Sequence, residues 1–140
     1  MELASDPAIV TGLTCQRLLK VLCPHCKTPL GKSSTRYAQE EVDRMCKLVA
    51  GDRAFVHGPG CERCEGSGIK GRTVVAETIV TDERLMSFVR VHDRVGAIRY
   101  WRTELHGLSM IGHAKVKVEA GEIDPFQAEE VVGLFNDDEQ

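Results

Sequence analysis

The sequence predicts an α+β fold: a tetracysteine zinc-knuckle module with a helical insertion, followed by a strand and a small C-terminal helical layer. Three observations carry that reading. Four of the six cysteines form two C-x-x-C pairs, Cys23/Cys26 in CPHC and Cys61/Cys64 in CERC. The second pair sits in GPGCERCEGSGIKG, where glycine punctuates nearly every turn. After it, RTVVAETIVT is a β-branched run, and the remainder has helical spacing.

Length and composition set the frame. A chain of 140 residues supports one real core or two small ones. The formal net charge is −3 and aromatics are 5% of the chain, which argues against a basic nucleic-acid surface and against an acidic solvating chain. No apolar run approaches the ~18 residues of a membrane span. Met1–Pro7 lacks the basic and apolar regions of a signal peptide. A thiol-keeping cytosolic compartment is therefore expected, where paired C-x-x-C motifs read as metal before disulfide.

In chain order, Asp6-Pro7 is expected to open a helix, with Asp6 as N-cap and Pro7 at its first position. QRLLKVL then runs into the first cysteine pair as a strand or a helix end. CPHCKTPLGKSS is turn-rich. YAQEEVDRMCKLVA at 37–50 predicts a helix, because Ala38, Val42, Met45, Cys46 and Val49 recur at three and four, with Gly51 as C-cap. Arg53–His57 predicts a short strand, and Arg72–Thr81 a longer one. Asp82 caps ERLMSFVRVH, Val95–Leu105 forms a second helix, Ser109 caps a third with Gly121 behind it, and Asp124-Pro125 opens a fourth. NDDEQ reads as a frayed acidic tail. The predicted divisions are 1–22, 23–71 for the metal module with its insertion, 72–134 for the strand and helical subdomain, and 135–140 for the tail.

Gly66–Thr73 has nearly the spacing of a phosphate-binding loop, G-x-x-x-x-G-K-[ST]. Such a loop must follow a strand and open a helix, so that backbone N–H groups face the phosphates. Here the context is inverted: a knuckle precedes it, a strand follows, and Arg72 occupies the lysine position. The metal reading gives each residue a reason. Two thiolates of a C-x-x-C reach one tetrahedral Zn²⁺ at ~2.3 Å only around a tight turn. That turn points N–H groups at the sulfurs, and a following glycine permits positive φ. Lys27 would offset thiolate charge, and four thiolates leave a site of net −2. Structural zinc contributes roughly 10–16 kcal/mol in small peptides, more than most domains' net stability.

The expected ligands are Cys23, Cys26, Cys61 and Cys64, which leave no open coordination position for catalysis. The competing readings are four reduced cysteines without metal, and a thioredoxin-like redox pair, whose strand-then-helix context is missing. Cys46 and Cys15 are expected in the core. His25 is expected to point outward, and His57 is the alternative ligand. His92, His106 and His113 form no motif.

Together, QRLLKVLCPHCKTPL, GPGCERCEGSGIKGRTVVAETIVTDERL and GLSMIGHAKVKVEAGEIDPFQAEEVV resemble the C-terminal part of the secretion ATPases, the hexameric motors of type II secretion and type IV pilus assembly. The matching residues are Gln16-Arg17-Leu18, Cys23, Cys26, Cys61, Cys64, Gly71-Arg72, Glu77, Asp82-Glu83, Gly107-Leu108, Gly121 and Glu129-Glu130-Val131. The resemblance implies that 1–22 is the tail end of a RecA-like ATPase core and that the four cysteines hold structural zinc. It implies neighbouring ATPase subunits and an inner-membrane platform protein as partners, and a cytoplasmic place peripheral to that membrane. ATP and Mg²⁺ belong to a parent protein: Walker A and Walker B are absent here and would lie upstream of Met1, so no catalytic residue is assigned. GLSMIGHA and Asp124-Pro125-Phe126 depart from the usual family pattern and resemble a divergent branch, such as a conjugative pilus ATPase. Two other functions compete. CERCEGSG also matches the unit of chaperone-type cysteine-rich domains, which bind unfolded peptide, although CPHCKTPL lacks the glycines. A zinc-dependent nucleic-acid binder is disfavoured by charge, and no paired carboxylate or nucleophile–base arrangement marks a small enzyme.

Overall fold

The computed structural model describes residues 3–32, 36–50 and 52–136. It is a mixed helix–strand fold in two compact units, Met1–Gln16 with Ala76–Ser109, and Arg17–Val75 with Met110–Gln140. The division falls inside two long strands, β1 (Gly12–Leu22) and β4 (Ile69–Val80), which pair in a two-stranded sheet. Cys23 N–H donates to Gly68 O at 2.9 Å, and at the far end Thr81 N–H donates to Thr11 O at 3.2 Å, so the pairing is antiparallel. QRLLKVL is therefore strand.

In the first unit, α2 (Glu83–Arg90) and α3 (Arg94–Thr103) begin at aspartates. Asp82 accepts from Leu85 N–H at 2.7 Å and Asp93 from Gly96 N–H at 2.9 Å, each satisfying a first-turn amide. Asp82 also accepts from Tyr100 Oη at 2.6 Å, which ties the two helices together and, with the cap bond, holds its carboxyl below the usual range. Leu85, Met86 and Trp101 are the unit's buried apolar side chains among the described residues. The expected N-terminal helix is absent. Leu3–Ser5 is a single 3-10 turn, and Asp6 then accepts from Ala8 N–H, while its carbonyl takes the amides of Ile9 and Val10. Asp6 caps one turn only, because the chain must straighten into β1.

The second unit contains β2 (Thr28–Pro29) paired antiparallel with β3 (Phe55–Val56), α1 (Gln39–Leu48), α4 (Met110–Glu119) and α5 (Pro125–Val132). Its core joins the helical insertion to the C-terminal helices: Leu30, Val42, Met45 and Val56 cluster with Ala114, Val118, Ile123 and Ala128. Arg44 of α1 grips Glu129 of α5 with two hydrogen bonds, at 2.6 and 3.1 Å, and also holds Glu41. The charged face of α1 is thus partly internal.

Other expectations need correcting. Cys46 is exposed. At about 100° per residue, Val42, Met45 and Val49 share one stripe and Cys46 is rotated off it. Cys15 is also exposed, in a stretch of β1 where buried residues begin only at Leu19. Lys27 spends its ammonium on Gly121 O, at 2.8 Å, and on the Phe55 ring. Phe135, placed with the tail, is 3% exposed and donates its N–H to Glu129. Gly51, the expected C-cap, and residues 137–140 of the tail lie outside the described residues. No helix among the described residues is long and apolar enough to cross a membrane.

Candidate metal centre

β1 ends at Leu22, and Cys23 follows with no exposed surface, at the point where its N–H pairs with Gly68. Lys27 N–H returns to Cys23 O at 3.1 Å, closing a turn that carries Cys26. The other pair sits on a 3-10 turn, Glu62–Cys64. There Cys61 N–H donates to Cys64 Sγ at 3.2 Å, and Gly66 N–H to Cys61 O at 2.9 Å. The knuckle finishes through Glu65, Gly66 and Gly68, all at positive φ. Gly68 then donates its N–H to Cys64 Sγ at 3.1 Å. In this second knuckle the two-residue spacing brings the Cys61 N–H within reach of the Cys64 sulfur.

The two knuckles meet, although 34 residues lie between Cys26 and Cys61 in the chain. The four Sγ atoms lie within 4.8 Å of one another. Cys23–Cys61 and Cys26–Cys64 are both 3.8 Å apart, and Cys61–Cys64 is 3.7 Å. A disulfide needs about 2.05 Å. A tetrahedron of sulfurs about 2.3 Å from a central Zn²⁺ has edges of roughly 3.8 Å. The separations fit zinc in a four-thiolate cage. The amides of Cys61 and Gly68 lower the Cys64 thiol to about 6, which favours its thiolate form. Desolvation, reinforced by the neighbouring Cys64 thiol, pushes Cys26 up to about 12, so it needs a cation to ionise.

Close approach of the loops depends on Gly58. A Cβ there would stand 1.8 Å from Cys26 O. His57, the alternative ligand, lies outside the sulfur cluster. Its Nε2 is 2.6 Å from Ser67 O, and its Nδ1 is 3.2 Å from Gln127 Nε2 and 3.3 Å from Arg36. Its backbone N–H donates to Asp124. His25 is exposed, as expected, and lies 3.5 Å from Arg63. Gly66–Thr73 runs from the knuckle into β4 and opens no helix, so it lacks the architecture of a phosphate loop. Sequence reasoning passed over Asp124 as a site residue, reading it only as a helix cap. Its second oxygen accepts from His57 N–H and Tyr37 Oη, contacts that no local pattern encodes.

Comparison with known proteins gives a consistent picture. The family model described as "Type II/IV secretion system protein" matches residues 2–132. Type II secretion system protein E of Dickeya dadantii is 28% identical over 132 residues, covering 91% of this chain and 23% of that protein. The type IV pilus assembly ATPase PilB of Thermus thermophilus is 35% identical over 81 residues, 56% of this chain and 8% of its own. Type II secretion system protein E of Pseudomonas aeruginosa is 34% identical over 82 residues, 56% of this chain and 14% of its own. The chain spans less than a quarter of each of these relatives.

Proposed function

The chain belongs to the type II/IV secretion system protein family, and from that premise we propose that it is the zinc-binding C-terminal portion of a secretion or pilus-assembly motor ATPase, with a structural and protein-interaction role. The observation that carries the zinc reading is the convergence of four Sγ atoms within 4.8 Å of one another, with three of their separations at 3.7 to 3.8 Å, near the edge length of a tetrahedral four-thiolate site. Cys23, Cys26, Cys61 and Cys64 would hold the ion. When bound, it would supply a cross-link between the two loops and no Lewis-acid chemistry, since the thiolates fill its coordination sphere.

The rest is done by the chain's own residues. Cys61 and Gly68 amides favour the Cys64 thiolate, Gly58 lets the loops close, and Asp124 ties the end of β3 to the start of α5. The parent motor would be a hexamer in the cytoplasm. This module would present a fixed face to a neighbouring subunit or to an inner-membrane platform protein, leaving ATP and Mg²⁺ to the parent's core. The family match favours this reading over the chaperone-type domain.

Elemental analysis of the reduced, purified chain tests the zinc reading. Close to one zinc per chain is expected, and less than half of one overturns it. Co-purification of the platform protein with the parent motor, lost on Cys61→Ser, tests the interaction role. Undiminished capture by a zinc-free variant would refute it.

A further inference from the structure

One peptide group links His57 to the metal cluster. Ser67 C=O accepts from the His57 ring, with Nε2 at 2.6 Å. The N–H of that same peptide is Gly68 N, which donates to Cys64 Sγ at 3.1 Å. The tautomer is fixed by chemistry. Arg36 has only donors to offer Nδ1, at 3.3 Å, so Nδ1 accepts and the ring proton sits on Nε2, facing the carbonyl. Gln127 Nε2, at 3.2 Å, adds a second donor to Nδ1. The sequence of bonds therefore runs one way, from Arg36 and Gln127 through the imidazole and the 67–68 peptide to the sulfur. Each donor polarises the next.

The ring is packed down on this peptide. Gly68 has φ +73, and a Cβ there would meet His57 Nε2 at 2.3 Å. No side chain but hydrogen leaves room for the imidazole at that distance. The anchor on the far side is α5: Gln127 lies in its first turn, and Asp124, its cap, holds His57 N–H at 2.8 Å.

We infer that His57 is a positioning residue for the metal centre. It orients the 67–68 peptide so that Gly68 N–H points at the Cys64 thiolate, and so couples zinc affinity to the seating of α5. The inference rests on the zinc reading above. Partners in this outer position commonly change metal affinity by roughly 10–100-fold.

The test uses the full chain loaded with Zn²⁺ or Co²⁺. Affinity is read by chelator competition, and the sulfur environment by the Co²⁺ thiolate charge-transfer bands. His57→Leu keeps bulk and removes the donor, and a loss of about tenfold with shifted bands is expected. His57→Gln retains an N–H donor and is expected to recover most of the affinity. His57→Leu within twofold of wild type with unchanged bands overturns the inference while the zinc reading stands. A wild-type chain that takes up neither metal overturns both. Should His57→Leu fail to fold at saturating zinc, Gln127→Ala is decisive in its place. It leaves the imidazole and removes one Nδ1 donor. A smaller affinity loss with bands shifted in the same sense supports the inference, and no change overturns it.

Discussion

Removing the carboxylate at Asp124 tests how the second unit is held together. Asp124 is 1% exposed, and each of its oxygens takes two donors. Oδ1 accepts from the amides of Phe126 at 2.8 Å and Gln127 at 3.2 Å. Oδ2 accepts from His57 N–H at 2.8 Å and Tyr37 Oη at 3.0 Å. In Asp124→Ala the lost cap costs about 1 kcal/mol. The stranded His57 N–H and Tyr37 O–H cost about 1–3 kcal/mol each where water cannot reach them. Relief of the buried charge's own desolvation offsets part of this. A net loss of about 3 kcal/mol is expected, a large fraction of the 5–15 kcal/mol typical of a domain. Urea unfolding of the metal-saturated chain, followed by circular dichroism, measures it. Asp124→Asn keeps one acceptor and is expected to lose about half as much. A loss below about 0.5 kcal/mol for Asp124→Ala would show that the four bonds are replaced by water at no cost, and the hub argument would fail.

Four further outcomes are expected. Gly58→Ala puts a methyl 1.8 Å from the Cys26 carbonyl, so a destabilisation of about 2–3 kcal/mol and weaker zinc retention are expected by urea titration and metal analysis. Tyr37 is pushed up to about 12 by burial and by Asp124 beside it. A raised folded-state value favours the neutral phenol, so its contribution is complete below about pH 10 and fades as pH climbs to about 12, and Tyr37→Phe is expected to flatten that part of the stability–pH curve. Arg44→Met leaves Glu129, 5% exposed in its side chain, without its cation, and a loss of about 2 kcal/mol is expected by the same titration, because Arg44 itself is a third exposed. Chelation of the metal is expected to release amide protection at Cys61–Ile69 in hydrogen exchange, while helical circular dichroism falls only in part.

What the sequence made legible was local. The caps Asp82 and Asp124 and the β-branched run into Val80 each act within a few residues, and each appears as expected. The errors came where the deciding contact is distant. Cys46 and Met45 are equally apolar neighbours; only the position of the core selects Met45. Arg44 stands in a charged stretch of α1 that names no partner, and Glu129, which it grips, is 85 residues away. His57 had the right address for a ligand but the wrong partner, because the orientation of the 67–68 peptide is a product of the folded loop. Asp6-Pro7 carries a true helix-start signal, and β1 pairing overrode it after one turn.

The packing also revises how much the metal must do. From sequence, 23–71 is a segment too rich in turns to hold itself, so zinc would fold it alone. In the structure its insertion helix shares a core with α4 and α5, through Val42, Met45 and Val118, and Arg44 clamps α1 to α5. Those contacts stay when the sulfurs are bare. The knuckle loops have no such core. They hold their shape through Gly58, His57 and the N–H···S bonds to Cys64. The proposed metal would therefore act mainly on Cys23–Cys26 and Cys61–Gly68, and its loss would soften those loops while the helical core persists. Under the proposed role, an ion so placed would set the shape of these loops, as docking against a neighbouring subunit would require.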